Sequence, residues 1–117
     1  QTPVNVVIRD TGPPLPAEQQ LQVLFIVQEA LSNIRKHAQA THIEINLHND
    51  QDFSIDIQDD GKGFAQANPQ HHSEQQVGLN IMRERAARLG ASLSIDSTVG
   101  RGTRISLLLS HTSRIAA

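Results

Sequence analysis

Hydrophobic and polar residues alternate in five short segments of the chain. The apolar positions of these segments are Val4, Val6 and Ile8; Ile43, Ile45 and Leu47; Phe53, Ile55 and Ile57; Leu93 and Ile95; and Ile105, Leu107 and Leu109. A period of two residues is typical of strands with one buried face and one face in water. Strands of a doubly covered parallel sheet are apolar at nearly every position, so the pattern predicts a largely antiparallel sheet and disfavours a Rossmann-like architecture.

Two segments with a helical pattern are available to cover the apolar face of this sheet. The first begins after Pro16, runs from about Ala17 to Ala38 and contains no Gly or Pro. At helical spacing, the stripe of this segment expected to face the sheet contains Leu24, Val27, Leu31, Ile34 and Ala38. The second segment runs from about Gly78 to Leu89, and Gly90 is placed to end it in a left-handed cap.

The segments between these elements complete the predicted fold. Polar residues at 49–52 and the glycine-rich stretch 98–102 predict two hairpins. Residues 64–77 form a long polar loop, which in a compact domain indicates a functional lid or a disordered connection. The predicted fold is therefore a two-layer α/β sandwich, in which a mixed, mostly antiparallel sheet is covered on one face by helices.

Length and composition favour a single globular domain that spans residues 1–117. Hydrophobic residues make up 38% of the 117 residues and charged residues 19%, which is typical of a folded protein. The chain begins with Gln1 and has no leader-like segment, so we expect both of its ends to be cuts in a longer polypeptide.

Charge and residue usage exclude several classes of function. Ten Lys and Arg against twelve Asp and Glu give a net charge of -2, and only 3% of the residues are aromatic. This balance disfavours nucleic acid as a partner, including RNA bound on an α/β sandwich, and disfavours direct contact with an anionic membrane. Without cysteine, the chain has no disulfide and no thiolate metal site. Its longest apolar runs are far shorter than the roughly 20 residues of a membrane-spanning helix.

Four polar side chains share the other side of the first predicted helix. Glu29, Asn33, Lys36 and His37 combine a carboxylate, an amide oxygen, an ammonium group and an imidazole within two turns. Such a set suits a hard cation together with phosphate oxygens. The structural alternative is an ordinary solvated helix face, and the helix alone does not decide between the two interpretations.

Glycines accompany an acid at the end of the third predicted strand. Asp59 precedes Gly61 and Gly63, which allow a tight turn and the close approach of a ligand. A carboxylate repels phosphate, so Asp59 suits an amino-bearing base, although an ordinary Asp-Gly turn explains the motif equally well. Gly78 at the predicted start of the second helix could offer N–H groups to an anion, or could be a simple N-cap. The chain contains neither a P-loop nor a dinucleotide fingerprint.

Taken in order, four segments resemble the ATP-binding fold shared by gyrase, heat-shock chaperones, histidine kinases and mismatch-repair ATPases, the GHKL superfamily. Residues 29–38 resemble its N box, 59–63 its G1 box, 78–79 a reduced G2 box and 100–103 its last glycine motif. The segments 28–33 and 78–86 resemble sensor histidine kinases of the nitrate/nitrite-sensor and related LuxR-partnered class.

The resemblance implies a role for each candidate residue. Asn33 is expected to bind Mg²⁺ through its amide oxygen, and Glu29 to organise the metal or a water. Asp59, supported by Thr103, is expected to accept a hydrogen bond from the adenine amino group, while Gly61 and Gly63 make room for the base. The expected contacts of the triphosphate are Lys36, His37 and the N–H groups of Gly78 and Leu79.

The implied function is that of the ATP-binding catalytic domain of a two-component sensor histidine kinase. Such a domain transfers the γ-phosphoryl group of ATP to a histidine on a dimerisation domain, from which a response regulator receives it. The implied full-length protein is a homodimeric inner-membrane sensor with this domain in the cytoplasm. The alternatives are a hydrolytic or serine-phosphorylating member of the same superfamily and a module that senses ATP without transferring phosphate.

Overall fold

A computed structural model describes residues 3–64 and 74–114. The elements in chain order are β1 (Val4–Asp10), α1 (Ala17–Asn33), a π-helical turn (Ile34–Ala38), β2 (Ile43–Asn49), β3 (Phe53–Asp59), α2 (Glu74–Leu89), β4 (Ser92–Thr98) and β5 (Gly102–Leu109). The strands form one sheet in the order β1-β2-β3-β5-β4. Only the β1–β2 pair is parallel, because α1 crosses over between these two strands, and the other three pairs are antiparallel.

The predicted fold class is confirmed. All five predicted strands are present, and both hairpins lie where the polar segments indicate, between β2 and β3 and between β4 and β5. The predicted buried face of the first strand is wrong: β1 is an edge strand, and Val4, Val6 and Ile8 are all exposed. Alternate residues of β3 and β5 are buried against the two helices, and Ile26, Ile57, Met82, Leu107 and Leu109 are the largest fully buried side chains. None of the helices in the described ranges is long and apolar enough to span a membrane.

The buried stripe of α1 differs from the predicted one. Leu24 is 50% exposed, whereas Val23, Ile26 and Ala30 are buried. The helix packs against α2 as well as against the sheet, so its buried surface includes positions that face the second helix. A helical wheel assumes one packing partner, and with two partners the buried face is rotated and wider.

Both helices also have different ends from those predicted. The α-helical geometry of α1 stops at Asn33 and continues as a π turn, which ends at Gln39 in the left-handed conformation with φ 52°. Helix α2 begins at Glu74 rather than at Gly78, so the predicted loop 64–77 is helical over its last four residues. Residues 65–73 of that loop lie outside the described residues.

The C-terminal end of α2 confirms the predicted glycine cap. Gly90 has φ 78°, and its N–H donates to the Ala87 carbonyl while Ala91 N–H donates to the Ala86 carbonyl. This pair of hydrogen bonds is the Schellman arrangement, in which a glycine tolerates the left-handed conformation that ends the helix. The cap turns the chain directly into β4.

Candidate functional site

Asp59 lies at the last position of β3 and is 4% exposed. Its Oδ1 accepts the Gly61 backbone N–H at 2.8 Å. Burial raises the pKa of Asp59, and the nearby charge of Asp60 raises it further, while N–H groups of Gly61 and Thr103 counteract both. A buried carboxylate that accepts backbone hydrogen bonds is held in one orientation, which suits recognition of a donor group.

Gly61 brings the loop after β3 against the end of the π turn. A side chain at Gly61 would collide with the Ala38 carbonyl oxygen, and the neighbouring Lys62 N–H donates to that same oxygen at 2.8 Å. The glycine is therefore required for close backbone approach. This contact holds the acidic strand end beside the helix that carries Asn33 and His37.

The β4–β5 hairpin closes the other side of Asp59. Thr103 pairs with Asp59 in the register of β3 and β5. Ser97, on β4, has its Oγ 2.8 Å from Thr103 Oγ1 and accepts the Phe64 backbone N–H at 2.9 Å. We call Asp59, Gly61, Ser97 and Thr103 the strand side of the site.

The four polar residues predicted on the first helix lie on α1 and the π turn, and of these four only Asn33 lines the cavity next to Asp59. Asn33 was predicted on a polar helix face, but it is 8% exposed and its Nδ2 has no hydrogen-bond partner within the described ranges. The same holds for the Nε2 atom of His37, which is buried although the residue as a whole is only half-buried. Lys36 is exposed and Glu29 half-buried. We call Glu29, Asn33, Lys36 and His37 the helix side of the site.

Gly78 lies against the helix side rather than at a helix start. A Cβ atom at this position would lie 2.5 Å from Glu29 Oε1 and 2.9 Å from Asn33 Oδ1. The glycine thus permits α2 to cross α1 directly over these two side chains. Because Gly78 lies beyond the first turn of α2, its N–H is used within the helix, and in this arrangement it is not the free anion donor that the sequence predicts.

A narrow cavity of about 20 Å³, enough for a water-sized molecule, separates the two sides. Asn33 lines it from the helix side and Asp59 and Thr103 from the strand side, with Phe64 and Leu79 between them. The structure therefore brings together the amide, the acid and the threonine that the sequence motifs indicated. Leu79 contributes a buried apolar side chain to this cavity.

The helix side fits a hard cation that is bound together with phosphate. Asn33 Nδ2 is a buried N–H donor without a partner within the described residues, which suits a phosphate oxygen, while Glu29 and Asn33 also offer side-chain oxygen atoms to a cation. Mg²⁺ takes oxygen ligands and often uses one or two from the protein while phosphates and waters supply the rest. Over the described residues, no group of three or more His, Cys, Asp or Glu side chains could hold a metal by itself.

Sequence reasoning missed several residues that shape the site. Ser97 continues the inward-facing series of Leu93 and Ile95 on β4, so a polar residue at an inward position next to the hairpin was the available signal. The apolar lining residues Ala30, Ile34 and Ile105 carried no signal beyond helical and strand periodicity.

Residues 18–113 match the family described as histidine kinase-, DNA gyrase B- and HSP90-like ATPases. The chain belongs to this family. Similar curated members are the sensor proteins VraS of Staphylococcus haemolyticus, 46% identical over 81 residues, and of Staphylococcus epidermidis, 41% identical over 108 residues. These matches cover 68% and 90% of this chain but only 22% and 30% of the relatives, so the chain corresponds to less than a third of their length.

Solved histidine kinases share the fold of this family member. The histidine kinase domain of the Erythrobacter litoralis EL346 blue-light activated histidine kinase has a TM-score of 0.73 and 24% identity, over 97% of this chain and 56% of that one. The Acinetobacter baumannii histidine kinase AdeS has a TM-score of 0.69 and 14% identity, over 92% of this chain and 54% of that one. The two curated relatives described above are named VraS, and they give no support to a nitrate/nitrite class.

Proposed function

We propose that this chain is the ATP-binding catalytic domain of a two-component sensor histidine kinase. The observation that carries the proposal is the cavity between Asp59 and Asn33, which has a buried acceptor at one end and, within the described residues, a buried amide nitrogen without a partner at the other. Membership of the ATPase family and similarity to sensor proteins support the same function.

The strand side would bind the adenine base. Asp59 is fixed by the Gly61 N–H and would accept a hydrogen bond from the exocyclic amino group, with Thr103 next to it. Gly61 and Gly63 keep the loop close to the π turn and the hairpin, and the cavity of about 20 Å³ between the two sides would have to widen to admit the base. Phe64 and Leu79 supply apolar surface for its ring.

The helix side would bind the phosphates and the metal. Asn33 and Glu29 would hold Mg²⁺ through oxygen atoms, and the metal when bound neutralises the charge that develops on the phosphates. Lys36 and His37 would contact phosphate oxygens, since they follow Asn33 on the same turn. Phosphate contacts by the N–H groups of Gly78 and Leu79 would require the first turn of α2 to unwind. In the present helix the Gly78 N–H is bonded to a carbonyl of that turn.

Phosphoryl transfer needs an acceptor, which we propose is a histidine on a helical dimerisation domain of the same polypeptide. A response regulator would then receive the phosphoryl group, and the full-length protein would be a homodimer. We place the domain on the cytoplasmic side of a membrane sensor. We do not extend the proposal to nitrate or nitrite, because the similar relatives are sensor proteins VraS.

The test has two steps, of which the first is calorimetric titration of the chain with ATP in the presence of Mg²⁺. Saturable binding and a rise in melting temperature are expected. If ATP neither bound saturably nor raised the melting temperature, the proposed ATP-binding function would be contradicted.

In the second step, the chain is fused to a histidine-bearing helical hairpin of a sensor histidine kinase and exposed to ATP. Phosphohistidine, which is acid-labile and stable in base, is expected on the fusion. The matched control carries Gln in place of the acceptor histidine and should remain unlabelled. Acid-stable phosphate would indicate a serine kinase, released phosphate without labelling an ATPase, and binding alone an ATP sensor.

A further inference from the structure

Ser97 joins three segments that border the strand side of the site. Its Oγ accepts the Phe64 N–H at 2.9 Å, lies 3.2 Å from the Gly102 carbonyl oxygen and lies 2.8 Å from Thr103 Oγ1. Ser97 is only partly buried, but these contacts use every direction in which a hydroxyl can bond. No motif in the sequence assigns it a role.

The number of protons decides which way these hydrogen bonds run. A serine hydroxyl has one proton and two lone pairs. The Phe64 N–H can only donate, and the Gly102 carbonyl can only accept. All three contacts are satisfied together only when Ser97 donates to Gly102 and Thr103 donates its proton to Ser97.

Thr103 then offers only lone pairs to a ligand in the cavity. Asp59 lies beside it and, when ionised, is also an acceptor without a proton. A base with an exocyclic amino group can donate to these oxygens. A base with a carbonyl in the same place would bring a third hydrogen-bond acceptor next to the oxygen atoms of Asp59 and Thr103. None of the three acceptors would then have a donor.

We propose that Ser97 is a positioning residue which holds the proton of Thr103 away from the ligand, so that the site selects a 6-amino purine over a 6-oxo purine. The inference rests on the proposed binding of ATP and adds to it the source of base selection. Without Ser97, the Thr103 hydroxyl is free to rotate and to donate to a 6-oxo group.

The test compares the affinities of the chain for ATP and inosine triphosphate, which differ at the 6-position of the base. Titration calorimetry with Mg²⁺ gives both dissociation constants and hence their ratio. The wild-type chain should prefer ATP, and Ser97→Ala should reduce this preference about tenfold, as expected when one unpaired contact is relieved. Ser97→Thr keeps the hydroxyl and should retain the wild-type ratio. Ser94→Ala, on the exposed face of the same strand, is the matched control and should change neither affinity.

A merely structural role for Ser97 would weaken both nucleotides equally and leave their ratio unchanged, which would overturn the inference. Ser97→Cys, similar in size but a weak hydrogen-bonding group, serves as the second variant should Ser97→Ala not fold, and the same lower preference is expected. Loss of both nucleotides by both variants would also overturn it. A wild-type chain that binds neither nucleotide contradicts the proposed ATP function instead, whereas one that binds both equally contradicts only the selection mechanism.

Discussion

The strand side and the helix side of the site differ in how far the protein satisfies its own polar groups. Asp59 and Ser97 both have protein partners within hydrogen-bond distance. Asn33 Nδ2 and His37 Nε2 are buried without any, within the described residues. Buried polar atoms without partners cost free energy, so they are retained where a ligand can supply the missing bond. The strand side is therefore preorganised, while the helix side is incomplete without a ligand.

The difference follows from the elements that build each side. Strand ends and a hairpin are held by neighbouring strands, so their side chains acquire fixed partners. The helix side comes from one helix and its π turn, and α2 covers it through Gly78. Binding at the strand side should depend on single hydrogen bonds, and binding at the helix side on metal and phosphate.

The largest effect is expected from Asp59→Asn. The amide places an NH₂ group where the carboxylate accepts hydrogen bonds, so ATP affinity should fall about 100-fold and the nucleotide-induced rise in melting temperature should disappear. Calorimetry and thermal denaturation measure the two effects. Asp56→Asn is the control, since Asp56 bonds Arg104 and Ser106 on the opposite face of the sheet. If Asp56→Asn lowered ATP affinity as much as Asp59→Asn does, the strand side would not be the part of the chain that binds the base.

The next largest effect is a difference in stability change between substitutions of two buried asparagines, Asn33 and Asn49. Asn33→Leu removes an amide whose Nδ2 has no partner and should stabilise the ligand-free chain by about 1 kcal/mol, while the Mg²⁺-dependent part of ATP binding is lost. Asn49→Leu is the matched control, because Asn49 is also buried but bonds Asp10, Pro13 and Arg114. It should destabilise the chain by about 2 to 3 kcal/mol.

Urea denaturation gives both stabilities, and titration with and without Mg²⁺ gives the metal-dependent part. If Asn33→Leu lowers stability as much as Asn49→Leu does, the helix side is not incomplete and the contrast between the two sides fails.

A smaller effect is expected where α2 crosses the helix side. Alanine is the better helix former by about 1 kcal/mol, yet Gly78→Ala inserts a Cβ against Glu29 and Asn33, and overpacking costs about 1 to 3 kcal/mol. The net result should be a loss of about 1 kcal/mol in urea denaturation. Asn80→Ala, at an exposed position of α2, should be neutral or stabilising. Stabilisation by Gly78→Ala would show that the two helices are not in close contact.

The smallest effect concerns pH and the neighbours Asp59 and Asp60. The Thr41 hydroxyl and the N–H groups of His42 and Thr41 lower the pKa of Asp60 below its ordinary 3.8. A carboxylate whose pKa is lower in the folded than in the unfolded chain stabilises the fold at pH values above its unfolded-state pKa. This stabilisation is lost as the pH falls through its folded-state pKa. Asp60→Asn should therefore be less stable than the wild type at neutral pH, and the difference should shrink as pH falls below about 3.8.

Asp59 has the opposite sign. Its pKa is raised, so its ionisation destabilises the fold as pH rises through the folded value, and Asp59→Asn should gain stability relative to the wild type in that range. Thermal denaturation from neutral pH to pH 3 measures both variants. Parallel curves for the two would show that the acids have the same environment.

Local pattern was sufficient for the positions of the strands and the hairpins, although not for the burial of β1, whose residues are all exposed. Alternation over Phe53, Ile55 and Ile57 marks β3 because a strand exposes every second residue to the same face, whatever covers it. It failed on α1, where Leu24 was expected to be buried and Asn33 exposed, because the buried face of a helix depends on how many neighbours it has. The local pattern also gave a wrong prediction at Gly78, because a glycine is compatible both with the start of a helix and with a point of close contact between helices.

The amino-acid sequence by itself determined the order of strands and helices along the chain and the glycine cap at Gly90, because these depend on residues close in the chain. It also determined the family, because the family is recognised by its sequence motifs. Only the tertiary structure decided that Gly78 lies over Glu29 and Asn33 and that Ser97 meets Thr103 and Phe64. The distances concerned depend on how whole elements pack, and packing is set by the shape of many side chains at once.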